Sequence, residues 1–218
     1  MVHLRQGLWD DAREELDKYV QEAPTGGSAD EAREQLDAIT GKRLLFLDHF
    51  DAAARKWQLS GAQPGTPPPT DRLSGAAPSD GPCLKLDPGQ GAYTSFDQAR
   101  VATIDIRFYD PPGDDAPLPG LTIRLYSQGA YTCAPLIVGR RGYRFASQGA
   151  ASVPHSPGWR RLVIDVATDT VTAHLDGRLI GEVRREGGLS GISIQTEDTR
   201  GASAFYVDEV RVVEPTSY

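Results

Sequence analysis

The stretch from Gly158 to Glu182, GWRRLVIDVATDTVTAHLDGRLIGE, constrains the fold more than any other part of the chain. Val171, Ala173 and Leu175 alternate with Thr170, Thr172 and His174, the period of a strand with one buried face. Asp176-Gly177 follows, and the apolar Leu179 and Ile180 come after it. A type I′ turn needs positive φ at both central residues, and Asp-Gly supplies them at little steric cost. The stretch therefore reads as two or three antiparallel strands carrying their own turn.

Short segments of the same kind fill most of the chain from Arg43 onward. RLLFLDHF reads as a first strand, and DAAARKWQLSG as an irregular segment that brings Trp57 to the core. Residues 61–82 read as a long Pro-rich loop of extended, solvated backbone. CLKLD, AYTSF, RVATIDIRFYD, LTIRLYS and CAPLIVGRRGYRFAS follow as strands, with GISIQTE and AFYVDEVRVVEP after the Asp-Gly hairpin. In RVATIDIRFYD, Ala102, Ile104, Ile106 and Phe108 fall on one face and Val101, Thr103, Asp105 and Arg107 on the other. Many short strands separated by frequent turn signals predict a sandwich or barrel.

Residues 1–41 have a different rhythm. Trp9, Ala12, Leu16, Tyr19, Val20 and Ala23 recur at helical spacing until Pro24. After Gly26-Gly27, Ser28 and Glu31 form a capping-box pattern; Ala32, Leu36 and Ile39 mark a second apolar stripe, and Gly41 ends it. The expectation is a helical hairpin over 1–41 joined to a β-sandwich over 43–215. Gly7, Trp9, Ala12, Leu16 and Pro24, with Tyr19 and Val20, resemble the second helix of a tetratricopeptide repeat. That resemblance implies an incomplete repeat whose apolar face, bearing Trp9, Leu16 and Leu36, packs on the sandwich or on another chain. Any other helical hairpin packed on a sandwich is the alternative.

Composition removes some function classes. The 218 residues carry a formal charge of −7, which argues against nucleic acid, whose partners cluster Lys and Arg. No run reaches the ~20 apolar residues of a membrane helix. MVHLRQGLWDDAREEL reads as an amphipathic helix and not as a secretion signal. This fits a cytoplasmic protein or the mature or trimmed part of a longer precursor. Cys83 and Cys133 lack zinc or redox spacing; they are either one disulfide or two buried thiols.

Three landmarks resemble the concanavalin A-like (laminin G-like) jelly-roll family: LDHFD followed by Trp57, Gly158-Trp159 running into the Asp-Gly hairpin, and FYVDEVRVVEP. The resemblance covers about residues 43–215 and implies a mainly β, antiparallel jelly-roll sandwich. It says little of activity, because lectins, adhesins, glycosidases and structural domains share the fold. It also implies a structural calcium ion between the first and last strands, with Asp208 as one ligand and Asp48 nearby. No other cofactor is expected.

Glycoside hydrolysis needs two facing carboxylates. No strand here alternates acids: Asp105 and Asp165 are single, while Glu197-Asp198 and Asp208-Glu209 are adjacent and so face opposite ways. His3, His49, His155 and His174 are dispersed, His174 on the polar face of the hairpin. The reading is therefore non-enzymatic. For a glycan, YSQGAYT places Tyr126, Gln128 and Tyr131 around a turn, while Trp57 and Trp159 are expected in the core. Arg140, Arg141, Arg144, Arg160 and Arg161 offer a basic stripe for an acidic partner, or solvated edge charges. The leading expectation is a binding or assembly module of a bacterial envelope or extracellular protein. It would contact a protein partner, or itself, through the N-terminal helices. A lectin-like or glycan-hydrolysing sandwich is the alternative.

Overall fold

Every second residue from Ala102 to Phe108 is buried, and Thr103, Asp105, Arg107 and Tyr109 between them stay partly exposed. This alternation sets the architecture of the computed structural model. It describes residues 14–21, 32–33, 35–36, 41–48, 50, 56–60, 70–71, 83–111, 120–139, 142–145, 153–185, 187–199 and 202–215. The strands are β1 (Lys42–Asp48), β2 (Gln58–Ser60), β3 (Thr70–Asp71), β4 (Cys83–Leu86), β5 (Gly91–Ala99), β6 (Ala102–Asp110) and β7 (Leu121–Ser127). They continue as β8 (Ala130–Gly139), β9 (Gly142–Arg144), β10 (Gly158–Val166), β11 (Thr170–Leu175), β12 (Arg178–Arg184), β13 (Leu189–Thr196) and β14 (Phe205–Pro215).

Two antiparallel sheets result. The eight-stranded sheet runs β12-β11-β10-β6-β14-β4-β3, and the six-stranded one runs β2-β5-β13-β7-β8-β9. β14 serves two partners on one edge: Phe205–Val207 pair with β4, and Val210–Pro215 with β1. A register shift between Val207 and Glu209 lets Val207 and Val210 both face the core. Ile104, Ile106, Phe108, Leu162, Ile164 and Val212 from one sheet meet Leu121, Ile123, Leu125, Leu136, Ile192 and Ile194 from the other. Asp176 and Gly177 have φ of 49° and 77°, as the Asp-Gly hairpin predicts. The mainly β sandwich is thus present.

Several finer expectations are corrected. Trp57 is buried, but Trp159 is half-buried on the outer face of the eight-stranded sheet. It lies opposite Tyr109 in register, with ring centroids 5.6 Å apart. Of the two readings open for Cys83 and Cys133, the structure has the free buried thiols, one on β4 and one on β8. Burial pushes Cys83 up to about 12, with the Asp208 charge adding to it, and Cys133 up to about 11. Short strands β2 and β3 stand where an irregular segment and a loop were expected.

Of the N-terminal segment, residues 14–21, 32–33 and 35–36 are helical, which does not establish a hairpin. Trp9 lies outside the described residues; Leu16 and Leu36 are half-buried. Arg33 is buried and its Nη1 lies 3.5 Å from Glu209 Oε2, while Arg107 Nη1 approaches the same oxygen at 3.8 Å. The segment around Arg33 therefore docks on the outer face of this chain's own eight-stranded sheet. Among the described residues, no helix is long and apolar enough to cross a membrane.

A buried polar cluster ties the sheets together at one end. Asp110, the last residue of β6, is fully buried and accepts a hydrogen bond from the Tyr143 hydroxyl of β9. His155 Nε2 lies 2.9 Å from Asp110 Oδ2, and its ring stacks on Tyr143 at 5.9 Å. Tyr143 Oη also lies 2.9 Å from the Ser156 carbonyl, an acceptor. One hydroxyl proton cannot serve both oxygens, but a protonated Asp110 could donate to Tyr143 while Tyr143 donates to Ser156. Burial raises the Asp110 carboxyl above its ordinary range, outweighing the bonds from Tyr143 and His155 and the nearby charges of His155 and Arg160.

Two outcomes are expected. A Cβ at Gly181 would stand 2.4 Å from the Cβ of buried Phe145, so Gly181→Ala should cost about 1–3 kcal/mol in urea denaturation. A raised folded-state carboxyl stabilises below the unfolded carboxylate range, and that contribution is lost as pH rises through the folded value. Asp110→Asn should therefore gain stability relative to the native chain as pH rises from the acid side. A difference that is constant with pH would refute that account of Asp110.

Candidate functional site

The tip of the β7–β8 hairpin is a two-residue turn. Gln128 and Gly129 have φ of 49° and 80°, between the paired residues Ser127 and Ala130. The turn brings Tyr126 directly opposite Tyr131. Their rings meet edge-on with centroids 6.4 Å apart, and Tyr131 remains 58% exposed. Tyr126 points away from the core because its neighbour Leu125 points inward. A register shift between the Leu125–Cys133 and Tyr126–Tyr131 pairs lets Tyr131 share the outer face although Cys133, two residues on, is buried.

Tyr93 of β5 extends this row across β13. It meets Tyr126 edge-on at 5.5 Å although a whole strand separates them. Gly191 makes that reach feasible. A Cβ there would stand 2.8 Å from Tyr93 Oη and 3.0 Å from the Thr94 carbonyl. Tyr126 Oη and Ser193 Oγ are 3.2 Å apart, which anchors the middle ring to β13. The ring contacts thus run Tyr93–Tyr126–Tyr131 over β5, β7 and β8, with β13 beneath.

Beside the row lies an open groove of about 370 Å³, where Gln58, Ser60, Tyr93, Tyr126, Ser193 and Gln195 supply the polar and aromatic wall. Gln195 accepts a hydrogen bond from Arg124 Nη1. The lining residues offer hydroxyls, amides and ring edges, and among those described none is a carboxylate. Such a surface can hydrogen-bond a neutral polyol and cover its apolar faces with rings.

The sequence-derived candidates separate in space. Tyr126 lines the groove and Tyr131 flanks it. Gln128 turns away, its backbone N–H donating to Ser190 Oγ at 2.8 Å and its amide to Gln98 Oε1 at 3.2 Å. Gly191 was not anticipated. Tyr93 belonged to the aromatic pool but nothing in its own strand indicated the ring it would meet.

Other candidates are engaged within the protein. Asp48 accepts from the Phe50 N–H at 2.8 Å and from Trp57 Nε1 at 3.1 Å, holding buried Phe50 at a φ of 58°. Asp208 is buried beside Cys83, whose Sγ lies 3.6 Å from Asp208 Oδ1. Among the described residues, no three His, Cys, Asp or Glu side chains gather as a metal site. Of the five arginines of the basic stripe, Arg160 pairs with Asp176 at 2.9 Å, and Arg161 Nε donates to Asp105 at 3.0 Å. Arg144 is exposed, and Arg140 and Arg141 lie outside the described residues. His174 Nδ1 stands 3.9 Å from Asp165 at the surface.

No protein-family model matches the chain, and no curated protein matches its sequence. Solved structures do resemble it. The CBM2 module of the evolved Dit protein of Lactobacillus casei BL23 phage J-1 is 13% identical over 82% of this chain and 98% of its own, with a TM-score of 0.57. A carbohydrate esterase from Shiga toxin-encoding bacteriophage phi24B is 15% identical over 80% and 99%, with a TM-score of 0.55. A Bacteroides ovatus GH16 protein of a mixed-linkage glucan locus is 10% identical over 77% and 99%, with a TM-score of 0.52. At such identities the likeness speaks for the jelly-roll fold alone, consistent with the concanavalin A-like resemblance. The comparisons lend no support to a tetratricopeptide remnant.

Proposed function

We propose that this chain is a carbohydrate-binding jelly-roll domain whose binding surface is the tyrosine-lined groove on the outer face of the six-stranded sheet. The observation that carries this reading is the continuous edge-to-face row Tyr93–Tyr126–Tyr131 beside hydroxyl and amide groups. A sugar presents C–H faces and hydroxyl edges together, and this surface matches both with little net charge. The similar structures, which include a CBM2 module and a GH16 protein, support a glycan partner more than assembly through the N-terminal helices. The docking of Arg33 on Glu209 weakens the assembly reading further, because part of that segment is already spent on its own sandwich. An extracellular or envelope setting belongs to the same proposal.

Glycan hydrolysis is the competing reading. A retaining glycosidase needs two carboxyl groups about 5–5.5 Å apart across the scissile bond. Among the described residues the groove lining supplies none, which supports binding over cleavage.

Isothermal titration against soluble β-glucans and other neutral polysaccharides, with a reducing-sugar assay alongside, tests the proposal. Tyr126→Ala and Tyr131→Ala should each weaken binding roughly tenfold, equivalent to about 1.4 kcal/mol. The unfolding midpoint of Tyr131→Ala should hardly move, because that ring is mostly exposed. Unchanged affinity in both variants would move any glycan site elsewhere, and release of reducing ends by the native chain would restore the hydrolytic reading.

A further inference from the structure

At the end of the sandwich where Asp110 is buried, a second pocket of about 440 Å³ opens between the two sheets. Its walls come from Tyr143 of β9, the segment Val153–Ser156, Arg160 of β10 and the β11–β12 turn with Asp176 and Arg178. It shares no lining residue with the tyrosine groove. Its volume falls within the ~300–1,000 Å³ usual for small-molecule sites.

The charges in this pocket are arranged unevenly. Arg160 is spent within the protein: Nη1 pairs with Asp176 at 2.9 Å, and Nε donates to the Ser156 carbonyl at 2.8 Å. Asp176 is spent as well, accepting from the Arg161 N–H at 3.0 Å through its other oxygen. Arg178 on the facing wall is exposed and makes no hydrogen bond or ion pair. His155 is fixed from behind by Tyr143, which stacks on its ring, while its Nε2 lies 2.9 Å from Asp110 Oδ2 outside hydrogen-bond geometry. That leaves the opposite ring nitrogen, Nδ1, without a protein partner. Asp110 Oδ1 is buried without a hydrogen-bond partner, so the cluster behind His155 is not saturated. Val153, Pro154 and Leu175 give the pocket an apolar portion.

We infer that this pocket binds the carboxylate of a small organic acid, with Arg178 and His155 Nδ1 as its anchors and Val153, Pro154 and Leu175 against its body. Guanidinium and imidazolium, which donates from both ring nitrogens, are the groups that suit a carboxylate, and the one exposed carboxylate of the wall, Asp176, is already neutralised by Arg160. Saccharides and apolar molecules both offer such an acid, and the shared element is the carboxylate.

Chemical-shift titration of the amides of His155, Ser156 and Arg178 tests the inference with four probes: glucuronate, benzoate, glucose and inorganic sulfate. Saturable shifts confined to these amides are expected for at least one acid, at a Kd of about 1 mM or below. Glucose should leave them unmoved. Tighter binding of glucuronate marks a saccharide acid, and tighter binding of benzoate an apolar one. Arg178→Gln and His155→Gln should each weaken the binding roughly tenfold. Arg178→Gln is the decisive variant because its side chain makes no contact whose loss would unfold the chain. Tyr126→Ala should leave the titration unchanged, so the fate of the groove proposal does not decide this one. Equal response to glucose, sulfate binding as tight as either acid, non-saturating shifts, or full affinity in Arg178→Gln would each overturn the inference.

Discussion

Each sheet buries one face against the other, and that single requirement determines where nearly every side chain of the sandwich goes. Strand side chains alternate, so a slip of one residue would turn Ile104, Ile106 and Phe108 to water and bring Asp105 and Arg107 inside. The cost of such a slip is far above the stability of a typical domain. The outer faces inherit their order from this constraint. Tyr93, Tyr126 and Ser193 share an outer face because Ala92, Leu125 and Ile194 must share the inner one. The tyrosine-lined groove is the reverse side of the core.

Breaks in the alternation mark the places where the chain does something besides packing. β14 shifts register between Val207 and Glu209, and the outward carboxylate of Glu209 then receives Arg33 and Arg107. β13 has Gly191 where a side chain would obstruct Tyr93. Asp110 closes β6 with a buried carboxyl that only a specific set of partners, Tyr143 and His155, makes tolerable. None of these departures is explained by hydrophobic burial alone.

Alternation is a local property, so the long strands were legible in the sequence, and so was the Asp176-Gly177 turn. β2 and β3 were not, because two or three residues are too few to show a period. Trp159 was misplaced by its hydrophobicity, although Leu162, Ile164 and Val166 already put the odd-numbered positions of β10 outside. The groove was half legible. Tyr126 and Tyr131 are joined by a turn visible as Gln128-Gly129, whereas Tyr93 reaches them only through sheet order β5-β13-β7, which joins segments far apart in sequence. The Asp110–Tyr143–His155 cluster was invisible for the same reason, as its members come from three separate segments.

The place of β14 has a kinetic consequence. It is the last strand in chain order, yet it lies in the interior of its sheet, between β6 on one side and β4 and β1 on the other. Until it arrives, β6 and β4 each present an unpaired edge. The ion pair of Arg43 with Glu214 joins residues 171 positions apart, so sealing that seam requires closure of one of the longest loops the chain can make. Folding should accordingly be slow for a domain of this size, as it is where non-local strand pairing dominates. The eight-stranded sheet would spend its early life as three pieces, β12-β11-β10-β6, β4-β3 and β1, awaiting one insert, and that interval is when the molecule is most exposed to pairing with a neighbour.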